Sequence, residues 1–140
     1  MVRLGVDLGT VRIGMATCDE LGMVATPYKV LESTSDLVQD ALIVSGIAEN
    51  VKACEIIVGM PRNMNGTYGD AAKRVEAFCE ELSKAAKNVE IKTWDERLST
   101  VQASRILVEA DMSRKRRKEV VDKSAAAIIL QGYLDRIRGL

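Results

Sequence analysis

An α/β layered domain on a mixed five-stranded sheet is the fold class that this sequence predicts, and three observations point to it. The first thirty or so residues fall into short apolar runs with alternating faces, separated by Gly-containing turns. After them, stretches with helical spacing alternate with short apolar runs. The chain has 140 residues, 47% hydrophobic and 29% charged. That size suits a single domain, residues 1–140, burying about two-thirds of its unfolded surface without disulfide or metal staples.

Residues 2–8, 12–18 and 23–31 read as strands, parted by Gly9-Thr10 and Glu20-Leu21-Gly22. Connections this short make them a three-strand antiparallel meander. Side chains alternate across a strand, so Leu4, Val6, Leu8, Ile13 and Met15 share one face, and Gly5, Asp7, Gly14 and Ala16 the other. One side is bulky; the other is a carboxylate among small residues. Ser35 is the expected N-cap of a helix in which Leu37, Val38, Ala41, Leu42, Ser45, Ile47, Ala48 and Val51 recur at helical spacing up to Lys52. A short apolar strand over residues 55–58 stops at Gly59-Met60-Pro61. The loop at 62–69 leads into a second helix from about Asp70 to Lys87, with Ala71, Val75, Phe78, Cys79 and Leu82 inward. Residues 89–94 make the fifth strand. A third helix is expected after Ser99-Thr100, and a last one over 120–138, after the basic run at 114–118. Three antiparallel strands followed by alternating helices and strands describe a mixed sheet with flanking helices.

The chain contains no histidine. Imidazole is therefore excluded as base, triad member or metal ligand, and catalysis would rest on carboxylates, hydroxyls, thiols or an oxygen-held metal. Cys18, Cys54 and Cys79 are odd in number and widely spaced. This excludes a CxxC zinc pair and argues against a disulfide framework, so they read as small buried hydrophobes. Net charge is zero, without the global basic signature of a nucleic-acid binder. The distribution is uneven, because residues 103–140 carry nine Lys and Arg against five acids, balanced by an acidic excess over residues 1–102. No apolar run nears the roughly 18 residues of a membrane span. Arg3 and Asp7 interrupt the first apolar run, which argues against a signal peptide. A cytoplasmic protein with no membrane partner is expected.

Three acidic positions stand at the ends of apolar runs. Asp7 lies at the end of the first strand on its small-residue face; the alternative is a turn residue capping backbone amides. Asp95 and Glu96 end the last strand, and since neighbours point to opposite faces only one can join Asp7; spacing leaves open which. Either could instead pair with Arg97 or cap the helix that follows. Asp122 heads a stripe of Ala125, Ala126, Ile129 and Tyr133, so it should face the sheet, although a first-turn acid favoured by the helix dipole is the simpler alternative. Ala125, Ala126 and Ala127 would let this helix lie close on Gly5, Gly14 and Ala16, and so bring Asp122 to Asp7. Converging carboxylates repel unless divalent cations neutralise them, and oxygen-only ligands suit Mg²⁺ or Mn²⁺. Such a site is suited to attack of water on a phosphodiester. Arg114, Lys115, Arg116, Arg117 and Lys118 form the densest basic run and precede Asp122, which places phosphate-binding charge beside the expected metals. The loop holding Arg62 and Asn63 is rich in amide groups suited to a nucleic-acid backbone.

Four segments in order resemble the YqgF family, also called RuvX, of Holliday-junction-resolvase-like proteins with an RNase H-like fold. They are Asp7-Leu8-Gly9-Thr10-Val11-Arg12-Ile13-Gly14, the stretch from Val58-Gly59-Met60-Pro61-Arg62-Asn63 to Gly66-Thr67, then Asp95-Glu96-Arg97-Leu98-Ser99-Thr100, and Val121-Asp122-Lys123-Ser124-Ala125-Ala126. The resemblance implies a bacterial cytosolic nuclease that matures the 5′ end of the 16S ribosomal RNA precursor, with branched DNA as the older substrate assigned to the family. It implies metal-binding, catalytic acids at Asp7, Glu96 and Asp122, and so favours Glu96 over Asp95. Nucleic-acid contacts are expected at Arg12, Arg62, Asn63, Arg97 and the basic run at 114–118, in a monomer or weak homodimer. One departure stands out: the strand over 55–58 ends in Gly59-Met60-Pro61, where related resolvases place a carboxylate. A non-catalytic RNA-binding module follows if Glu96 does not take that place. Gly5-Val6-Asp7-Leu8-Gly9-Thr10 is also similar to the phosphate hairpin of actin-like ATPases, but those bind nucleotide between two duplicated lobes and this chain shows no repeat.

Overall fold

The structure, a computed structural model, describes residues 1–61, 69–96 and 114–139, and between 114 and 124 the backbone alone. Strands β1 (Arg3–Leu8), β2 (Arg12–Cys18) and β3 (Ala25–Glu32) are followed by helix α1 (Leu37–Asn50), β4 (Glu55–Met60), α2 (Asp70–Ala85), β5 (Glu90–Asp95) and α3 (Arg114–Ile137). The strands form one sheet in the order β3-β2-β1-β4-β5. β2 pairs antiparallel with β1 and β3, while β4 joins the other side of β1 in parallel and β5 joins β4 in parallel. The mixed sheet and its antiparallel N-terminal meander are those the sequence predicts.

The two faces of the sheet are packed differently. Leu4, Val6, Ile13, Met15, Ile56 and Val58 point to one side, where they meet Ala41, Val44 and Ala48 of α1 and Val75, Phe78 and Leu82 of α2. On the other side Ala16, Cys18 and Ile57 meet Ala125, Ala126, Ile129, Leu130 and Leu134 of α3. β4 lies between the two layers and is buried at every residue, as a central parallel strand must be. Gly5 is what admits α3: a Cβ there would stand 2.8 Å from Leu130 Cβ and 2.9 Å from the Ala126 carbonyl oxygen.

Several boundaries differ from the sequence expectation, each for a local reason. Asp36, not Ser35, caps α1, accepting the Val38 amide at 2.9 Å, while Ser35 takes a left-handed φ of 68°. The cause is Asp40, whose carboxylate accepts from the Ser33 hydroxyl and from the Thr34 amide and hydroxyl and so winds the chain back before the helix starts. β3 begins at Ala25 because Asp19 accepts the Met23 and Val24 amides and holds them in the turn. In α2 it is Ala72, not Ala71, that is buried. The basic run, expected ahead of the last helix, is itself helical, for α3 starts at Arg114 rather than 120. Lys and Arg are good helix formers, so charge alone is a poor signal of a loop. The helix expected after Ser99-Thr100 and the loop at 62–68 lie outside the described residues.

Candidate active site

Asp7 is one residue from the end of β1, opposite Gly14 of β2, and only 8% exposed. Two residues after Gly5, it shares the α3 side of the sheet. The parallel register of β1 with β4 runs from Arg3↔Glu55 to Val6↔Val58, and the next residues on the two strands are Asp7 and Gly59. Gly59 opens the segment Gly59-Met60-Pro61, which carries no carboxylate. A Cβ added to Gly59 would lie 3.3 Å from Glu96 Cγ and 2.5 Å from Ile129 Cδ1. The side chain of Glu96 thus reaches over the end of β4 and fills the space that any larger residue at 59 would need.

The choice between Asp95 and Glu96 for that face follows from their neighbours. The Trp94 ring packs on Gly132 of α3, within about 3.1 Å of a Cβ built there. Asp95 pairs with Met60, whose side chain belongs to the opposite, α1–α2 side. Glu96 returns to the α3 side beside Gly59. Asp7 and Glu96 therefore share a face at the carboxyl ends of the parallel strands, the usual position for sites in open α/β sheets.

Asp122 lies within α3, one turn before Ala126. Tyr133, farther along the helix, donates to Glu55 at the start of β4, and Ala126 lies against Gly5, so α3 runs antiparallel to β1. One helical turn back from Ala126 is about 6 Å. Two residues on from Gly5 along β1 is about 7 Å. Both steps lead to the Asp7 end. The Asp122 side chain lies outside the described residues, as do all of Arg62, Asn63 and Arg97 and the side chains of Arg114, Lys115, Arg116, Arg117 and Lys118. Among the described residues no three His, Cys, Asp or Glu side chains form a metal-binding group. Arg12 opens β2, half-buried, at the turn that follows Asp7.

The thiols stand apart from this site. All three cysteines are free. Burial, assisted by the Glu76 charge, pushes Cys79 up to about 11, and burial also raises Cys18. Two buried carboxylates escaped sequence reasoning, Asp40 and Glu55. Glu55 accepts from Arg3 Nε at 2.5 Å and from the Tyr133 hydroxyl at 2.9 Å, a structural cluster at the opposite end of the sheet.

A family model described as RuvX, Holliday junction resolvase, matches residues 1–136. The chain belongs to the RuvX family. That membership places it in a family of nucleases, as the four sequence segments imply. Among relatives of this RuvX chain, a candidate pre-16S rRNA nuclease of Symbiobacterium thermophilum is 50% identical over 131 residues, covering 94% of this chain and 90% of the relative. One of the same name from Halothermothrix orenii is 47% identical, covering 94% and 93%. In fold, RuvC of Thermus thermophilus, solved in complex with a Holliday junction substrate, superposes with a TM-score of 0.62 at 16% identity, covering 99% of this chain and 96% of RuvC. The RNase H-like architecture expected of the family is thus present.

Proposed function

We propose that this RuvX chain is a divalent-metal-dependent nuclease that hydrolyses phosphodiesters, with the 5′ end of the 16S rRNA precursor as its substrate and Asp7, Glu96 and Asp122 as its metal-binding acids. The observation that carries the reading is the arrangement around Gly59, where the nearly buried Asp7 stands on the next strand and Glu96 leans across the missing side chain. The names of relatives about half identical over most of the chain support the RNA substrate.

The donor set fits Mg²⁺ or Mn²⁺, since carboxylate oxygens on a histidine-free face are hard ligands. When bound, such an ion supplies Lewis acidity to a phosphate oxygen and makes its water a better nucleophile. Asp7 lies in β1 and Glu96 directly follows β5, so the sheet positions both at its carboxyl-terminal end, where bound cations offset the repulsion between their carboxylates. Asp122 joins them from α3. The helix opens on the basic run Arg114 to Lys118, where positive charge and amino-terminal backbone amides favour phosphate. Arg12, Arg62, Asn63 and Arg97 complete the nucleic-acid contacts. The protein acts in the cytoplasm as a monomer or weak homodimer; no helix among the described residues is long and apolar enough to cross a membrane.

The test is cleavage of an RNA spanning the 5′ end of the 16S precursor, with a four-way DNA junction in parallel because the family description names that substrate. Mn²⁺-dependent cutting of the RNA is expected, lost in Asp7→Asn, Glu96→Gln and Asp122→Asn with melting temperatures kept. RNA binding without cleavage in Mn²⁺ would sink the proposal in favour of a binding module, and cutting of the junction alone would reassign the substrate.

A further inference from the structure

The turn between β1 and β2 follows directly on Asp7 and has an unusual construction. Two-residue hairpin loops favour primed turns with φ above zero at the tip, because unprimed turns splay the strands. Thr10 and Val11 form the tip here, and neither they nor Gly9 has a positive φ. Gly9 closes the turn by donating its amide to the Arg12 carbonyl at 2.9 Å, and the turn is held from outside as well, the Ser33 amide donating to the Val11 carbonyl at 2.8 Å. The Gly9 carbonyl, two residues from Asp7, accepts from Arg74 Nη1 at 2.9 Å, although Arg74 belongs to α2 and stands 65 residues away in the chain.

Asp40, on α1, is only 1% exposed. Its carboxylate takes three hydrogen bonds from Ser33 and Thr34, at 2.6 to 2.8 Å. Burial works to raise its pKa, but those bonds and the Arg74 charge outweigh burial and hold it below the usual carboxylate range. A charge buried in this way is stable only with fixed donors and a countercharge.

We propose that Arg74 is a positioning residue: it grips the Gly9 carbonyl from α2 and so orients the Asp7 carboxylate toward the divalent cation. The proposal rests on Asp7 being a metal ligand. Residues behind a ligand that fix its direction commonly matter about tenfold or more for metal affinity.

The experiment uses the full chain and Mn²⁺ alone. Calorimetric Mn²⁺ affinity, amide hydrogen exchange at residues 9–12 and thermal melting are measured for the wild type, Arg74→Met, Arg74→Lys and Asp7→Asn. Arg74→Met is expected to weaken Mn²⁺ binding about tenfold, with faster exchange in the turn and unchanged protection at Val75, Phe78 and Leu82. Arg74→Lys keeps the charge and one donor, so it should recover part of both losses; if the methionine variant does not fold, it carries the test. Unchanged Mn²⁺ affinity in the Arg74 variants beside a lost one in Asp7→Asn would overturn the positioning role alone. Equal Mn²⁺ binding by the wild type and Asp7→Asn would overturn the metal reading of Asp7, and this proposal with it.

Discussion

The two faces of one sheet solve opposite packing problems. Toward α1 and α2, β1 and β2 present Leu4, Val6, Ile13 and Met15, and the space between layers is filled by large side chains around Phe78. Toward α3 the same strands present Gly5, Asp7, Gly14 and Ala16, and a helix with three consecutive alanines comes close enough to touch backbone. A face filled by volume is damaged by removing atoms; a face defined by closeness is damaged by adding them. Asp7 is on the second face, where a carboxylate can stand at a strand end without displacing a core side chain.

The largest expected effect tests the filled face. Phe78→Ala, at a fully buried position, should cost about 3 to 5 kcal/mol in chemical denaturation. Any loss of cleavage should follow the fraction unfolded. Next comes the close face: Gly5→Ala puts a methyl against the Leu130 Cβ and the Ala126 carbonyl, neither of which can swing aside, and overpacking of this kind costs about 1 to 3 kcal/mol. Because α3 carries Asp122, cleavage measured where the variant is still folded should also fall. Equal tolerance of Phe78→Ala and Gly5→Ala would erase the distinction between the faces.

Gly59→Ala sharpens it. The new methyl meets the tip of Ile129, which can move, and Glu96 Cγ, which must move for the chain to fold unchanged. A small loss of stability with a disproportionate loss of Mn²⁺-dependent cleavage is expected; unaltered cleavage would show that Glu96 does not need the space. The smallest effect is at the far end of the close face. Tyr133→Phe removes a hydrogen bond to Glu55, which keeps Arg3, and should cost about 1 kcal/mol with cleavage unaffected. Burial, with the Glu55 bond and charge, raises Tyr133 from 10.0 to about 12. A raised folded-state value means that the contribution is whole below pH 10 and disappears as pH climbs through 12. The wild type should therefore lose more stability across that interval than Tyr133→Phe.

Legibility in the sequence followed the range of the interactions involved. Alternation in residues 2–18 showed the bulky and small faces, since a strand's two sides are a property of the backbone alone. The alanine run read correctly as the helix face that meets Gly5. Ser35 against Asp36 as the cap could not be read, because the outcome depends on Asp40 turning back to Ser33 and Thr34. The start of α3 was missed because helix propensity in Lys and Arg was outweighed by their look of solvated charge. Arg74 carried no signal at all, standing next to Val75 on a helix surface where an exposed arginine is ordinary.

By itself the sequence determined the fold class, the absence of imidazole chemistry, the acids at Asp7, at 95–96 and at Asp122, and the family, all of which depend on residue type and short spacing. Only the tertiary structure showed that Glu96, which the family resemblance already favoured over Asp95, reaches the α3 side across Gly59, and that Arg74 reaches Gly9. Those contacts join strands and helices distant in the chain. Their existence depends on how closely the layers approach, a quantity set by the packing of the whole sheet.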